Sequence, residues 1–195
     1  MKSLRFALLA MVVAVASGCA HKIGVAPDIA KISPAGDASR IDAKVAYYIS
    51  EENLNKQVVT PGGGGDRVSY LPYKDIETAF YKMLTNVFSN VIKLKLPQAA
   101  STEGVDYILE PTMVTDSSSS SIFTWPPTDF KTQLSTKISD SANNGITTIT
   151  VVGEGAAEFS EFKRDFGLAA RRSTHSALMK TQDALLAAPE FAAKR

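Results

Sequence analysis

Apolar residues recur at every second position from Ile41 to Ile49, and this period of two predicts a half-buried β-strand over residues 41–50. The pattern changes over residues 75–91, where apolar residues recur at three- and four-residue spacing and predict an amphipathic helix. Pro72 suits the first turn of this helix, and Asn90 suits its end. The apolar stripe of the helix consists of Ile76, Ala79, Phe80, Met83, Leu84, Val87, Phe88 and Val91.

The second half of the chain predicts one strand followed by a β-hairpin. Residues 105–115 have the pattern of a strand, in which Pro111 lacks an amide hydrogen and therefore indicates a sheet edge or a bulge. Residues 130–138 alternate in polarity, and residues 146–153 are rich in Thr, Val and Ile. The turn signal Asn-Asn-Gly at 143–145 predicts that these two strands pair antiparallel.

A second amphipathic helix is predicted over residues 170–188, and it ends near Pro189. The order of the main elements is therefore strand, helix, strand, strand, strand and helix. Each helix has a single apolar face, so the simplest architecture places both helices on the same side of the sheet. We predict an α+β fold, in which a largely antiparallel sheet of about four strands carries two amphipathic helices packed on one face.

A glycine run at residues 62–65 lies between two short segments, 58–59 and 67–70, that are typical of β-strands. The run resembles part of a phosphate-binding loop, but the Lys-Ser or Lys-Thr pair of such a loop does not follow it. The segment after it does not open directly into a helix either. We interpret the run as a surface loop or the end of a hairpin.

The first 18 residues have the three zones of a bacterial secretory signal peptide. Lys2 and Arg5 form a basic start, residues 6–16 form an apolar run, and small residues follow it. The apolar run is about 11 residues long, whereas a membrane-spanning helix needs about 20. The sequence therefore predicts a signal peptide at 1–18 rather than a transmembrane anchor.

The single cysteine, Cys19, follows Ala16, Ser17 and Gly18 in the pattern of a bacterial lipobox. Small side chains fit the cleft of a signal peptidase, and the Cys19 thiol is the nucleophile that lipid transfer requires. The alternative is an ordinary cleaved signal peptide with a cysteine near the cut. Ala20 stands where an aspartate would, by resemblance to enterobacterial sorting, retain a lipoprotein at the inner membrane, so we expect outer-membrane attachment.

The lipobox divides the chain into three parts. These are a lipoprotein signal peptide at 1–18, a lipidated N-terminus with a flexible tether at 19–39, and a single periplasmic α+β domain at 40–190. The tether interpretation rests on the Ala, Gly, Pro and Lys content after Cys19 and on the lack of periodicity there. We expect the domain to face the periplasm, with display at the cell surface as the alternative.

The charge of the chain gives no global basic field for binding nucleic acid. The chain has 21 basic and 20 acidic residues, a formal net charge of +1, which becomes −1 when Lys2 and Arg5 leave with the signal peptide. One cysteine cannot form an intramolecular disulfide or a cysteine-based metal cage. We therefore expect no nucleic-acid partner, no metal site and no cofactor.

Candidate catalytic groups are few. The chain contains two histidines, His21 and His175, and neither belongs to a nucleophile or metal-binding motif. His21 falls in the predicted tether, and His175 falls on the second helix, where a surface or boundary position is the simplest interpretation. The carboxylates Asp106, Glu110, Glu154, Glu158 and Glu161 are scattered, without the recognisable pairing that a glycosidase needs. We predict that the protein is not an enzyme.

Two groups of residues are candidates for contact with a partner. Phe123 and Trp125 lie beside a serine run, and exposed aromatic residues often anchor protein interfaces. Arg171 and Arg172 belong to a basic cluster that could meet lipid phosphates or an acidic partner. The cluster also contains Lys163, Arg164 and Lys180. The structural alternatives are that Trp125 covers one end of the sheet and that the basic residues form a solvated helix face.

The Cys19 lipobox, the helix at 75–91, the strand at 105–112 and the final hairpin with its helix together resemble a known group. They are similar to small periplasm-facing accessory lipoproteins of Gram-negative bacteria, especially YajG-like lipoproteins. The likeness extends more remotely to envelope-assembly lipoproteins that support lipopolysaccharide export, peptidoglycan synthesis or secretion. Its specific motif is the lipobox, and the rest is the order of elements. The resemblance implies a non-catalytic protein and supplies no active-site residues.

The sequence thus predicts an outer-membrane-anchored periplasmic lipoprotein that binds or scaffolds another component of envelope assembly or transport. Its partners would be the membrane, through the lipid on Cys19, and a protein of the envelope. One alternative is a carrier that binds a lipid or another amphiphile between the helices and the sheet, which a wide apolar cavity would favour. A second is a carboxylate- or metal-dependent envelope hydrolase, which carboxylates converging near His175 would favour.

Overall fold

The computed structural model describes residues 20–34, 40–60, 67–119 and 128–194 of the chain. Within these ranges the strands are β1 (Ala20–Lys22), β2 (Ile41–Tyr47), β3 (Val58–Thr60), β4 (Arg67–Tyr70), β5 (Phe88–Lys93), β6 (Tyr107–Ser118), β7 (Asp129–Asp140) and β8 (Gly145–Ala156). The α-helices are α1 (Glu51–Leu54), α2 (Pro72–Val87), α3 (Ala100–Glu103), α4 (Phe159–Phe162) and α5 (Leu168–Ala187). Short 3-10 turns occupy Ile29–Lys31, Pro97–Ala99 and Pro189–Lys194.

Among the described residues, the larger of two sheets contains five strands in the order β5-β2-β6-β7-β8. Strand β2 pairs parallel with β5 and β6, whereas β6, β7 and β8 form an antiparallel meander with 12 residues in each strand. The predicted hairpin of β7 and β8 is confirmed, and Asn143 in its turn has a φ of 66°. The predicted α+β class is also confirmed, with two parallel pairs that make the sheet mixed.

The first long helix, α2, is shorter than the hydrophobic spacing predicts. It ends at Val87, and Phe88 already begins β5. The prediction that Phe88, Asn90 and Val91 belong to the helix is therefore wrong. Strand β5 pairs with β2, which satisfies backbone polar groups in a region where Phe88 and Val91 are buried.

Pro111 lies inside β6 at a place that tolerates its missing amide hydrogen. Strand β2 pairs with β6 only as far as Tyr47, which lies opposite Leu109. Beyond that point β6 has one neighbour among the described strands, β7, and Thr136 lies opposite Pro111. The predicted edge position of this proline is confirmed, because one side of β6 lacks a described partner strand there.

Both long helices, α2 and α5, pack on the same face of the larger sheet, as predicted. Helix α5 lies against β7 and β8 and also contacts α2. The largest fully buried side chains of the core between them are Phe80, Phe88, Phe191, Ile32, Ile41, Ile76, Met83, Leu84, Leu109 and Leu134. On the opposite face, a smaller cluster around Ala46, Leu94 and Ile108 includes Ala100 of α3.

The segment before β2 is folded onto the domain. Strand β1 pairs parallel with β4, with Ala20 opposite Arg67, and β3 pairs antiparallel with β4 to complete a three-stranded sheet. Val25 is 0% exposed and Ile32 is 2% exposed. The prediction of a flexible tether is therefore wrong for residues 20–34, because burial of these apolar side chains holds the segment in place. The short strands predicted beside the glycine run are confirmed as β3 and β4.

A buried amide pair fixes this segment to both long helices. Asn86 of α2 donates from Nδ2 to the Ile32 carbonyl oxygen at 3.3 Å and to Oε1 of Gln182 at 3.1 Å. Gln182 of α5 donates from Nε2 to the Ser33 carbonyl oxygen at 2.9 Å. Asn86 and Gln182 are 7% and 0% exposed, so these bonds replace the water that burial removes. The backbone at Ile32 and Ser33 therefore lies across the junction of α2 and α5.

Candidate binding surface

The structure describes two of the site residues that the sequence singles out. Arg171 and Arg172 lie in the first two turns of α5. The other site residues, Ala16, Ser17, Gly18, Cys19, Phe123 and Trp125, lie outside the described residues, and their roles stay predictions. In the described ranges, every helix is too short or too polar to cross a membrane.

A groove of about 260 Å³ lies beside the first half of α5. One wall is the 3-10 turn at Ile29–Lys31, which Asp28 caps by accepting a hydrogen bond from the Ala30 amide at 3.0 Å. The residues that line the groove are Asp28, Lys31, Leu168, Arg171, Arg172 and His175. Basic side chains outnumber acidic ones among these lining residues.

Arg172 is held at the groove by a bidentate ion pair. Two of its guanidinium nitrogens each donate to a carboxylate oxygen of Glu161 at 2.9 Å, and one also donates to the Ala156 carbonyl oxygen at 2.7 Å. The hydrogen bonds of Arg172, followed by that of the Glu158 amide, lower the pKa of Glu161 to about 2. Arg172 therefore joins α5 to the turn after β8, and Glu161 neutralises much of its charge.

Arg171 is also used inside the domain. It forms an ion pair with Asp165, whose other carboxylate oxygen accepts a hydrogen bond from the Gly167 amide at 3.1 Å. A Cβ atom on Gly167 would lie 2.7 Å from both the Arg171 side chain and the Gly24 carbonyl oxygen. Glycine at this position therefore lets the segment after β1 meet the start of α5. Contact of either arginine with a partner stays a prediction.

His175 lies in the same groove, one helical turn beyond Arg171. It is half-buried, at the boundary between core and surface, and its Nδ1 atom is buried without a hydrogen-bond partner among the described residues. The described part of the chain holds no group of three or more side chains able to ligate a metal. The groove is thus a basic surface feature with one histidine at its margin.

The carboxylates named from the sequence have separate partners. The ion pairs are Asp106 with Lys194, Glu110 with Lys137, Glu154 with Lys131, and Glu161 with Arg172. Glu158 instead forms a capping box with Glu161 at the start of α4. These groups are distributed over the larger sheet, its end and α4, rather than gathered around His175. No observation among the described residues therefore favours the hydrolase alternative.

The space between the helices and the sheet is filled by side chains. Phe80, Met83 and Leu84 of α2 and Leu178 of α5 are each 0% exposed, and they belong to one continuous cluster with residues of the sheet. A carrier for a lipid or another amphiphile requires a wide apolar cavity in this space. The described side chains form a packed core there instead, which gives the carrier alternative no support.

An aromatic and basic turn between β8 and α5 is missed by the sequence reasoning. Phe159 is 49% exposed and Phe166 is 39% exposed, and Lys163 and Arg164 lie between them in the chain. We name residues 159–166 the aromatic turn. Interleaved aromatic and basic residues were the available signal, but the three-residue spacing of Phe159 and Phe162 is also typical of a buried helix face.

No family model matches the sequence, and no curated protein matches it. A protein from Xanthomonas campestris of the family model DUF330 matches in structure, with a TM-score of 0.50 and 9% identity over 86% of this chain and 92% of that chain. A PelC dodecamer structure from Paraburkholderia phytofirmans has a TM-score of 0.39 and 12% identity over 73% of this chain and 94% of that chain. The first match shows a similar fold, whereas the second score is too low to define one.

Proposed function

We propose that this protein is a lipoprotein anchored in the outer membrane by acyl chains on Cys19, with its α+β domain facing the periplasm. There it would bind or scaffold another component of envelope assembly or transport, without catalysing a reaction. The observation that carries the proposal is the lipobox of residues 16–19, which directly precedes Ala20 in β1. Stable attachment to a membrane needs more than one lipid chain or a chain with a second attachment, and a lipobox cysteine carries several acyl chains.

The short distance between anchor and domain supports a role based on localisation. Because β1 begins at Ala20 and pairs with β4, one peptide bond separates the proposed anchor from the folded domain. Consecutive Cα atoms are about 3.8 Å apart, so the domain would stay close to the bilayer. A domain fixed at a surface meets partners on that surface at a high effective concentration.

The fold match is compatible with this proposal. The Xanthomonas campestris protein comes from a Gram-negative bacterium and has a similar fold at low identity. The more specific likeness to YajG-like lipoproteins belongs to the proposal and rests on the lipobox and the order of elements. The groove beside α5 supports a binding role by its shape, whereas Arg171 and Arg172 in its lining are already paired with Asp165 and Glu161.

The anchor is tested with Cys19→Ser, expressed as the full chain in a Gram-negative host. We expect this variant to lose the acyl mass and to leave the outer-membrane fraction, because the hydroxyl does not replace the thiol in lipid transfer. Membrane fractionation and intact mass spectrometry measure both effects. The matched control is Ser17→Ala, which keeps a small residue in the lipobox and should still be processed and acylated. Correct processing and membrane retention of Cys19→Ser would contradict the proposal.

The binding role is tested in the same cells with a photo-reactive residue placed at Trp125 or at Lys31 in the basic groove. We expect each to capture the same envelope protein, and we expect the yield to fall when Cys19→Ser removes co-localisation. Thr148, which is exposed on the outer side of β8, is the control position. Equal capture at Thr148 would speak against a specific binding surface.

A further inference from the structure

The aromatic turn presents apolar side chains at the surface on a fixed support. Phe159 and Phe166 are exposed, whereas Phe162 between them is only 3% exposed. The Phe162 and Phe166 rings meet edge to face, with centroids 5.0 Å apart. Lys163 Nζ lies 4.9 Å from the centroid of the Phe159 ring. Exposed aromatic side chains that are held in this way mark an interaction surface rather than a loose chain end.

The carboxylates of the aromatic turn have partners within the domain. Glu161 and Asp165 are bound by Arg172 and Arg171, the two arginines of α5. Glu158, just before the turn, accepts a backbone hydrogen bond in the capping box of α4. The carboxylates near the turn are therefore either neutralised by arginines or hydrogen-bonded to backbone amides.

Two positive charges of the aromatic turn remain available to an external group. Lys163 and Arg164 are exposed, and neither forms an ion pair within the described part of the chain. Arg164 donates from Nε to the Ser160 carbonyl oxygen at 3.2 Å, which orients its guanidinium beside the turn. The turn thus exposes two phenylalanine rings and two cations within eight residues.

The aromatic turn lies next to the point where the chain enters the domain. The His21 ring stacks on Phe166 with centroids 4.8 Å apart. Two peptide units separate His21 from Cys19, and an extended chain covers about 7 Å in that length. Any lipid on Cys19 would therefore be held beside Phe166.

We propose that the aromatic turn docks on the bilayer that carries the protein's own acyl anchor, an inference that rests on the proposed function. Phenylalanine rings enter the interface between headgroups and acyl chains, and basic side chains there are attracted to anionic lipid headgroups. Phe159 and Phe166 supply the rings, and Lys163 and Arg164 supply the cations. The domain would then have one fixed orientation on the membrane instead of swinging around Cys19.

The described fold offers a control position far from the aromatic turn. Strand β6 extends from Tyr107 to Ser118, a length of about 36 Å at strand rise. Ser101 of α3 lies shortly before the start of β6. The last residue of β6 pairs with Asp129 of β7, and Asp129 pairs with Ala156 at the entrance to the aromatic turn. Ser101 is exposed, as is Ser160 in the aromatic turn. The two serines allow the same substitution at opposite ends of the sheet.

The experiment uses the full acylated chain in vesicles of phosphatidylethanolamine and phosphatidylglycerol. Because Cys19 is the only cysteine and acylation blocks its thiol, Ser160→Cys or Ser101→Cys introduces one labelling site for an environment-sensitive fluorophore. A nitroxide on the lipid headgroups should quench the label at Ser160 about twofold, and the label at Ser101 should keep its intensity. Replacement of Phe159 and Phe166 together by serine should abolish the quenching at Ser160 while the protein stays vesicle-bound through its anchor.

Three outcomes separate the possibilities. Equal quenching of the labels at Ser160 and Ser101 in acylated, vesicle-bound protein overturns the docking inference and leaves the anchor intact. If the fluorescence of the label at Ser160 changes only after an envelope protein is added, the docking inference is also overturned. The aromatic turn then contacts a protein and not the bilayer. A chain that carries no acyl group and does not bind vesicles refutes the proposed function itself. If docking occurs, loss of each charge in Lys163→Gln or Arg164→Gln should reduce the docked-to-undocked ratio about fivefold in these anionic vesicles.

Discussion

The two long helices lie on the same face of the sheet but are held there by different contacts. Helix α2 buries large apolar side chains, and Ile76, Phe80, Met83 and Leu84 are each 0% exposed. Helix α5 buries mostly small or polar side chains, among them Ala169, Ala170, Ser173, Thr174, Ala177, Thr181 and Gln182. Apolar volume therefore stabilises the position of α2, whereas α5 buries only two large apolar side chains, Leu178 and Leu185, and depends more on other contacts.

Glycines in β8 explain the small side chains of α5. A Cβ atom on Gly153 would lie 2.2 Å from the Ser173 carbonyl oxygen and 2.3 Å from the Ala177 amide nitrogen, so the helix backbone nearly touches the strand. At this close approach, Ser173 Oγ lies 2.7 Å from Thr132 Oγ1 and 3.2 Å from the Gly153 carbonyl oxygen. Backbone proximity and buried hydroxyl bonds thus replace large side chains at this interface.

The largest effect should come from α2, where one side chain supplies much of the buried volume. Phe80→Ala should lower the free energy of unfolding by about 4 kcal/mol, because it removes apolar burial and leaves a cavity. Tyr81→Ala is the control on the same helix; its side chain is 42% exposed, and we expect a loss below about 1 kcal/mol. Denaturant unfolding measures both values. Similar losses in the two variants would show that apolar volume does not stabilise α2.

The second-largest loss of stability should come from β8, where an added methyl group, rather than a removed side chain, is the cause. Gly153→Ala should cost about 3 kcal/mol, because the added methyl group forces α5 away from the strand and breaks the Ser173 contacts. The control Gly145→Ala adds a methyl group to the same strand at a place with no atom within 4 Å, and we expect a change near zero. The same unfolding measurement applies. If Gly153→Ala is tolerated as well as Gly145→Ala, close backbone packing does not stabilise α5.

The distance along the chain over which a contact acts explains which parts of the fold the sequence predicts. Local patterns suffice for α2 and for the β7–β8 hairpin, because apolar periodicity and the turn at Asn143 act within short stretches of chain. They fail at β5, where Phe88 and Val91 keep the three-residue spacing of a helix and only pairing with β2 makes them a strand. They also fail for Val25 and Ile32, whose burial depends on distant partners.

The candidate surface is predictable from the sequence only in part. Arg171 and Arg172 attract attention as a basic pair on a predicted helix, and both do line a groove. Their ion-pair partners, Asp165 and Glu161, lie 6 and 11 residues away in the sequence. These separations match neither the spacing of a helix face nor that of a strand face, so the sequence does not indicate the pairs. These pairs form because the aromatic turn folds back on the first turns of α5, which is a tertiary arrangement.

The smallest effect concerns the polar contact that holds the start of α5. The hydrogen bonds from Arg172, together with the backbone hydrogen bond from Glu158, lower the pKa of Glu161 from its ordinary value of 4.5 to about 2. Because the pKa is lower in the folded state, the pair contributes stability above pH 4.5, and this contribution is lost as the pH falls towards 2. Arg172→Gln should raise the Glu161 midpoint towards 4.5 in a carboxyl NMR titration, whereas Lys131→Gln, which removes the partner of Glu154, should leave it unchanged. A Glu161 midpoint that stays near 2 in Arg172→Gln would show that the backbone bond from Glu158 controls this carboxylate, and that the ion pair does not fasten α5 to the aromatic turn.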